Sequence, residues 1–303
     1  MNINFIQTNE YYRRILDCQD DGERTKLYLE LFVEPWKQMM NMVRGHATQY
    51  GPDDELAGAR AWAWLLPDQV DAIARLLDKL EAADAWTIGR DALAKAADRF
   101  GPYANNVPFT NVSGWMVLAD PHYANPLERG YTGATDWFQP RLIGQIWDPT
   151  PYVLERLPAL VAHEFHHLVR LRAFPFGMNT SVADYIIIEG TAEAFAASLF
   201  GEDKIGYFIT EVDQDNLETA RRLIGQGLHE TGFDVIRGYI FGDALAERAS
   251  FRPVGGMPTY GGYAVGYHVV RAYLERTGKS IEETTFIPAD EIVRMSGFFE
   301  SEN

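Results

Sequence analysis

The chain has 303 residues, 47% of them hydrophobic, which is enough to bury one large core or two smaller ones. Its formal net charge of −16 argues against partners with acidic surfaces, nucleic acid and anionic membrane alike, and no basic tract reverses that balance. The single cysteine, Cys18, excludes an internal disulfide, and its acidic neighbours in ILDCQDDGE make it an ordinary thiol rather than a nucleophile.

In chain order, the first third reads as helices. ERTKLYLELFVEPWKQMMNMVRG has apolar residues at three- and four-residue spacing, with Pro35 as a break or kink. PDQVDAIARLLDKLEAADAW starts on Pro67, taken as the first helical position, and sets Val70, Ile73, Leu76, Leu77 and Leu80 on one face. GRDALAKAADRF is a further short helix, closed by Gly101 and Pro102. Between about 101 and 150, proline, glycine, asparagine and aromatics become common. There GWMVLAD and RLIGQIWD read as short strands between turns, and Pro149 and Pro151 end the region. Helical texture resumes near Val153. VADYIIIEGTAEAFAASLFG is apolar enough to be buried on most sides, and NLETARRLIGQGLHETG is amphipathic and stops at a glycine. GGYAVGYHVVRAYLERTG is a helix closed by Gly278, and PADEIVRMSGFF is a last short helix with Pro288 near its start. The pattern is α+β, predominantly helical, with a small sheet between helical N- and C-terminal portions. A boundary is placed near residue 100, giving a helical region over 1–100 and a second domain over 101–303. The N-terminus shows no charged-then-apolar leader, and no stretch reaches the ~18 apolar residues of a membrane span, so a cytoplasmic location is expected.

Chemistry concentrates in LPALVAHEFHHLVRLR, Leu157 to Arg172. His163, Glu164 and His167 form H-E-x-x-H. Residues four apart on a helix stand one above the other about 6 Å along the axis, so two imidazoles reach one Zn²⁺. Glu164 lies to the side of the pair, where a general base for hydrolysis belongs. His166, three residues from His163, could pair with it instead; the four-residue pair suits hydrolysis better, which leaves His166 a supporting or structural role. The third ligand is sought in IIIEGTAEAF, where Glu189 and Glu193 share a helical face inside an apolar run. Glu189 is assigned to the metal and Glu193 to the outer N–H of a ligand histidine, although the two roles could be exchanged. His46, His122 and His229 are isolated and read as structural.

H-E-x-x-H followed about twenty residues later by E-G-x-A-E resembles the gluzincin metallopeptidases, which take a glutamate from a second helix as third zinc ligand. The aminopeptidase-like members carry that glutamate in an E-G-[aromatic]-A context, matched by Glu189-Gly190-Thr191-Ala192, and Glu193 matches an acid that orients a histidine in thermolysin-like members. Over roughly residues 140–298 the chain is also similar to a bacterial family described as predicted Zn-dependent proteases, in LPALVAHEFHHLVR, IIEGTAEAF, GGYAVGYHVVRAYLE and PADEIVRMSGFF. The resemblance implies a zincin-like fold for the catalytic region and one catalytic zinc per chain. It also implies an oxyanion donor: aminopeptidase-like gluzincins use a tyrosine in Y-x-x-G, and Tyr263-Ala-Val-Gly266 fits, with Tyr260, Tyr267 and His268 as rivals. The G-x-M-E-N signature of aminopeptidases does not precede the HEFHH segment.

The expected activity is zinc-dependent peptide-bond hydrolysis with Glu164 as base, acting on a peptide or protein substrate. An extended peptide is expected to add to an exposed edge strand, either GWMVLAD or RLIGQIWD. Two other readings remain: a metal-binding or regulatory protein on the same scaffold, and a zinc hydrolase of other amides or esters.

Overall fold

The computed structural model describes residues 1–45, 51, 53–122 and 127–300; His46 lies outside them. The chain divides into two compact units. The first is Met1–Ala94 with Phe109–Glu164, and the second is Lys95–Pro108 with Phe165–Asn303.

The first unit holds a four-stranded sheet, with β1 (Asn2–Phe5), β2 (Asn111–Leu118), β3 (Tyr131–Thr135) and β4 (Arg141–Ile146) in the order β1-β2-β4-β3. β2 runs parallel to both β1 and β4, while β3 returns antiparallel to β4 with Gly133 opposite Gly144. The two strands read from the sequence, β2 and β4, are the two interior ones. The expectation that either offers a free edge is therefore wrong: β1 covers β2, β3 covers β4, and the edges are β1 and β3. These outer strands escaped sequence reading because NINF is too short for periodicity and YTGAT has no apolar alternation. Phe5 locks β1 in place by filling the space at two glycines. A Cβ on Gly89 would lie 2.9 Å from Phe5 Cε2, and one on Gly114 would lie 2.6 Å from the same atom.

The N-terminal helices are α1 (Thr8–Asp17), α2 (Asp21–Tyr28), α3 (Lys37–Gly45), α4 (Ala57–Ala61), α5 (Val70–Ala82) and α6 (Ala85–Arg99). Pro35 breaks the first sequence-read helix as expected: a π-turn (Leu29–Val33) and a 3₁₀ turn (Glu34–Trp36) separate α2 from α3. Pro67 is not the first residue of α5. A turn comes first, in which the Gln69 side chain accepts from Leu66 N–H at 2.7 Å and donates to Asp120 at 2.5 Å, and the helix starts at Val70. The break between α5 and α6 falls at Ala83–Asp84, with Asp84 at φ 54°, so Trp86 belongs to α6. Fully buried Tyr12, Tyr28, Phe32, Trp36 and Trp64 form the aromatic core of this unit.

α7 (Pro151–Ala173) starts on Pro151, at the helix position that does not need an amide. The second unit continues with α8 (Val182–Phe200), α9 (Tyr207–Thr210), α10 (Gln214–Gly227), α11 (Phe233–Phe241), α12 (Asp243–Arg248), α13 (Gly261–Thr277), α14 (Ile281–Thr284) and α15 (Ala289–Ser296). The α+β, mainly helical class read from the sequence holds. α8 starts on a capping box between Ser181 and Asp184 and is buried continuously from Tyr185 to Ala196, as its apolar run demands. α10 ends at Gly227, five residues before the glycine expected to close it. α13 closes at left-handed Gly278, as read. Among the described residues no helix is long and apolar enough to cross a membrane.

Candidate metal centre

α7 is buried on every side from Val161 to Arg170, so its histidines and glutamate cannot be an incidental polar face. Its four-residue repeat stacks His163 and His167, and Glu189 enters from α8. One ligand atom from each of the three lies within 4.8 Å of the others. His167 Nε2 stands 3.3 Å from Glu189 Oε2. Two donors bound at ~2.0–2.1 Å to a tetrahedral zinc are about 3.3 Å apart, so the donor set suits that ion in type and spacing. His163, His167, Glu189 and Glu164 each keep 5–8% of their surface exposed, whereas His166 keeps none.

Glu164 is not one of these three and reaches β3. Its Oε2 accepts from Thr135 Oγ1 at 2.9 Å, and its backbone carbonyl lies at the same distance from that hydroxyl. A Cβ on Gly133 would sit 2.7 Å from Glu164 Cγ and Cδ, so only glycine leaves the carboxylate its place on the strand. Neither Thr135 nor Gly133 was anticipated; a glycine inside TGAT was the one available signal.

His166 faces elsewhere. Its Nε2 lies 2.9 Å from Thr285 Oγ1, and it packs on Phe195 with ring centroids 5.4 Å apart. The Thr285 hydroxyl donates to Ile281 O, so it accepts from His166, which places the imidazole proton on Nε2. One turn later, Arg170 donates through Nη1 to Thr285 O at 2.8 Å and Ile287 O at 2.7 Å. Burial pulls its guanidinium down to about 10. His166 and Arg170 together tie α7 to the end of α14, and sequence reasoning did not find that role for Arg170.

The glycines of the two downstream motifs turn out to face each other. A Cβ on Gly190 would fall closer than 3.0 Å to the Gly266 carbonyl and 2.9 Å from Tyr267 N, and a Cβ on Gly266 would fall 2.9 Å from Ile186 C. E-G on α8 and Y-x-x-G on α13 are thus the two halves of one close helix crossing, with Glu189 next to one glycine and Tyr263 one turn before the other. Tyr263 packs on Phe208 and Phe241 with ring centroids 4.5 and 5.9 Å away. Burial, and after it the charge of Glu189, hold its hydroxyl protonated well above the ordinary tyrosine range. Tyr260 caps α13 in a left-handed conformation, φ 59°, and meets Tyr207 edge-on. The Tyr267 hydroxyl pairs with Arg271 Nη1 at 3.1 Å, and His268 stacks on Phe298, its imidazole pushed down by burial. Glu193 is buried and accepts from Gly206 N–H at 3.1 Å. His122 and His229 are exposed.

Residues 85–294 match the family described as "Predicted Zn-dependent protease". The chain belongs to that family. Two relatives come from Bacillus subtilis (strain 168), and both are described as uncharacterized proteins. YjfC is 28% identical over 303 residues, covering 99% of each chain. YjaZ is 29% identical over 133 residues, covering 44% of this chain and 48% of its own. No solved structure gives a significant match. The family match spans both candidate ligand helices and the α8–α13 crossing.

Proposed function

We propose that this protein is a zinc-dependent peptidase that binds one ion per chain through His163, His167 and Glu189. A bound Zn²⁺ supplies a Lewis acid and brings the pKa of its water towards ~7. Glu164 takes a proton from the attacking water and returns it to the leaving amine. Tyr263, which keeps its proton, donates to the oxyanion that develops on the scissile carbonyl. Thr135 and Gly133 hold the Glu164 carboxylate in line. Glu193 steadies the α8 helix that carries Glu189, through its bond to Gly206. An extended peptide adds to the outer edge of β3, the strand that already touches Glu164.

The observation that carries this reading is the division of labour among four buried side chains. Three converge at metal-ligand spacing, and the fourth, next to His163 in the chain, is held by a hydroxyl of β3. A structural zinc favours four protein ligands, and a carboxylate parked beside three has a use in hydrolysis. The test is metal analysis of never-chelated protein, followed by a peptide-library digest with and without chelator. Zinc at one per chain and chelator-sensitive cleavage are expected. Glu164→Gln should retain the zinc and lose hydrolysis by a factor of about 10² or more. Wild-type rates in that variant refute the base assignment. Stoichiometric zinc with cleavage of no peptide refutes the peptidase.

A further inference from the structure

Among the described residues, Arg237 of the second unit meets no charged counterpart. On α11, Phe233, Arg237 and Phe241 recur every four residues and form one stripe. The Arg237 guanidinium carbon lies 4.2 Å from the Phe233 ring, 5.1 Å from that of Phe251 and 5.6 Å from that of Phe241. Its Nε is buried without a hydrogen-bond acceptor, and among the described residues no carboxylate or carbonyl meets the other nitrogens. This stands out in a chain with 43 acidic residues against 27 basic ones. Arg141, for comparison, is matched by Asp136, and buried Arg170 by backbone carbonyls. Ring faces attract a guanidinium but leave its five N–H donors unfilled.

The stripe runs towards the metal ligands. Phe241 meets Tyr263 at 5.9 Å and Tyr185 at 6.4 Å, and Tyr185 stands one turn before Glu189 on α8. Burial pushes the Tyr185 hydroxyl up to about 12; Arg237 pulls it down and Glu189 pushes it up, so both charges reach this one side chain. The wall is also open to solvent, since Phe233 is 38% and Met178 85% exposed. Phe176, two residues from Met178, meets Phe233 at 6.4 Å.

We propose that Arg237 is a specificity-determining residue: it anchors a carboxylate of the substrate, with the aromatic stripe flanking it. The planar fork of guanidinium donors fits a carboxylate through two parallel bonds. The carboxylate belongs either to an acidic side chain or to a free chain terminus. The proposal rests on the peptidase reading for its location, but binding can be measured without turnover.

The probes are fluorescein-labelled short peptides in matched sets: Glu against Gln at each position in turn, and a free against an amidated C-terminus. Their affinity for the zinc-loaded Glu164→Gln protein is read by fluorescence polarisation, and their cleavage by the zinc-loaded wild type is read in parallel. At one position, or at the terminus, the carboxylate form should bind roughly tenfold tighter or better. Which set responds tells side chain from terminus. Arg237→Ala should erase the difference, Arg237→Lys should keep part of it, and Arg237→Glu should favour a Lys-substituted peptide. Zinc content should be the same in all. Charge-dependent binding without any cleavage upholds Arg237 and overturns the peptidase. Cleavage or binding indifferent to the carboxylate, or a preference that survives Arg237→Ala, overturns Arg237. Absence of both binding and cleavage overturns both.

Discussion

Gly190→Ala is the sharpest probe of how the centre is built. Helix propensity alone favours alanine over glycine by about 0.8–1.0 kcal/mol. Gly190, however, faces backbone rather than a movable side chain. Of the three atoms a new Cβ would meet, the most distant, Tyr267 N, is 2.9 Å away, whereas ordinary contact begins near 3.4 Å. α8 and α13 would have to part by half an ångström or more, and they are packed with neighbours that resist it. Overpacking of this kind costs about 1–3 kcal/mol, and rigid backbone on both sides places Gly190 at the upper end. The net loss should be about 2 kcal/mol, or about 4–8 °C in the melting temperature of a unit of this size. Glu189 moves with its neighbour, so zinc affinity should fall about tenfold or more. Thermal and urea melts of metal-free protein measure the first effect, and competition against a chromophoric chelator measures the second. A variant as stable as the wild type, or more so, with zinc affinity unchanged, would falsify the close crossing and its part in placing Glu189. Gly266→Ala should behave the same way, since its Cβ would meet the Ile186 backbone.

Glu189→Ala should weaken zinc binding sharply and Glu193→Ala less, because Glu193 spends one oxygen on Gly206 N–H; the reverse order in metal titrations exchanges their roles. The buried tyrosines predict an alkaline limit to stability. Tyr12, Tyr28, Tyr185 and Tyr263 all have hydroxyls raised by burial above the ordinary value. Above pH ~10 the unfolded chain releases protons that the folded chain retains, so stability is full below ~10 and declines as pH rises through the folded values, about 12 for Tyr185. Ultraviolet titration should show these four ionising only together with unfolding; reversible ionisation near pH 10 in the folded protein would contradict their burial.

The local parts of this centre were legible because they obey helix periodicity. H-E-x-x-H and E-G-x-A-E each place their chemistry within one or two turns of a single helix, and the apolar flanks announce that the helices are buried. The helical majority, the Pro35 break, the Gly278 stop and strands β2 and β4 follow from the same short-range rules. Spacing could not reveal which backbone lies opposite. Thr135 meets Glu164 across 29 residues, and His166 meets Thr285 across 119. Gly190 and Gly266 look like motif letters until two helices cross there, and Arg237 looks like any surface arginine until, among the described residues, no acid is found to pair with it.

The amino-acid order by itself thus determined the donor types, their pitch on each helix and the acidic, largely helical character of the chain, because these depend on neighbours within about four residues. The tertiary structure alone decided which strand holds Glu164, which glycines let α8 and α13 close, where His166 points and which strands form the sheet edges. Those outcomes depend on packing between segments distant in the chain, where steric fit and partner supply, rather than periodicity, choose the arrangement.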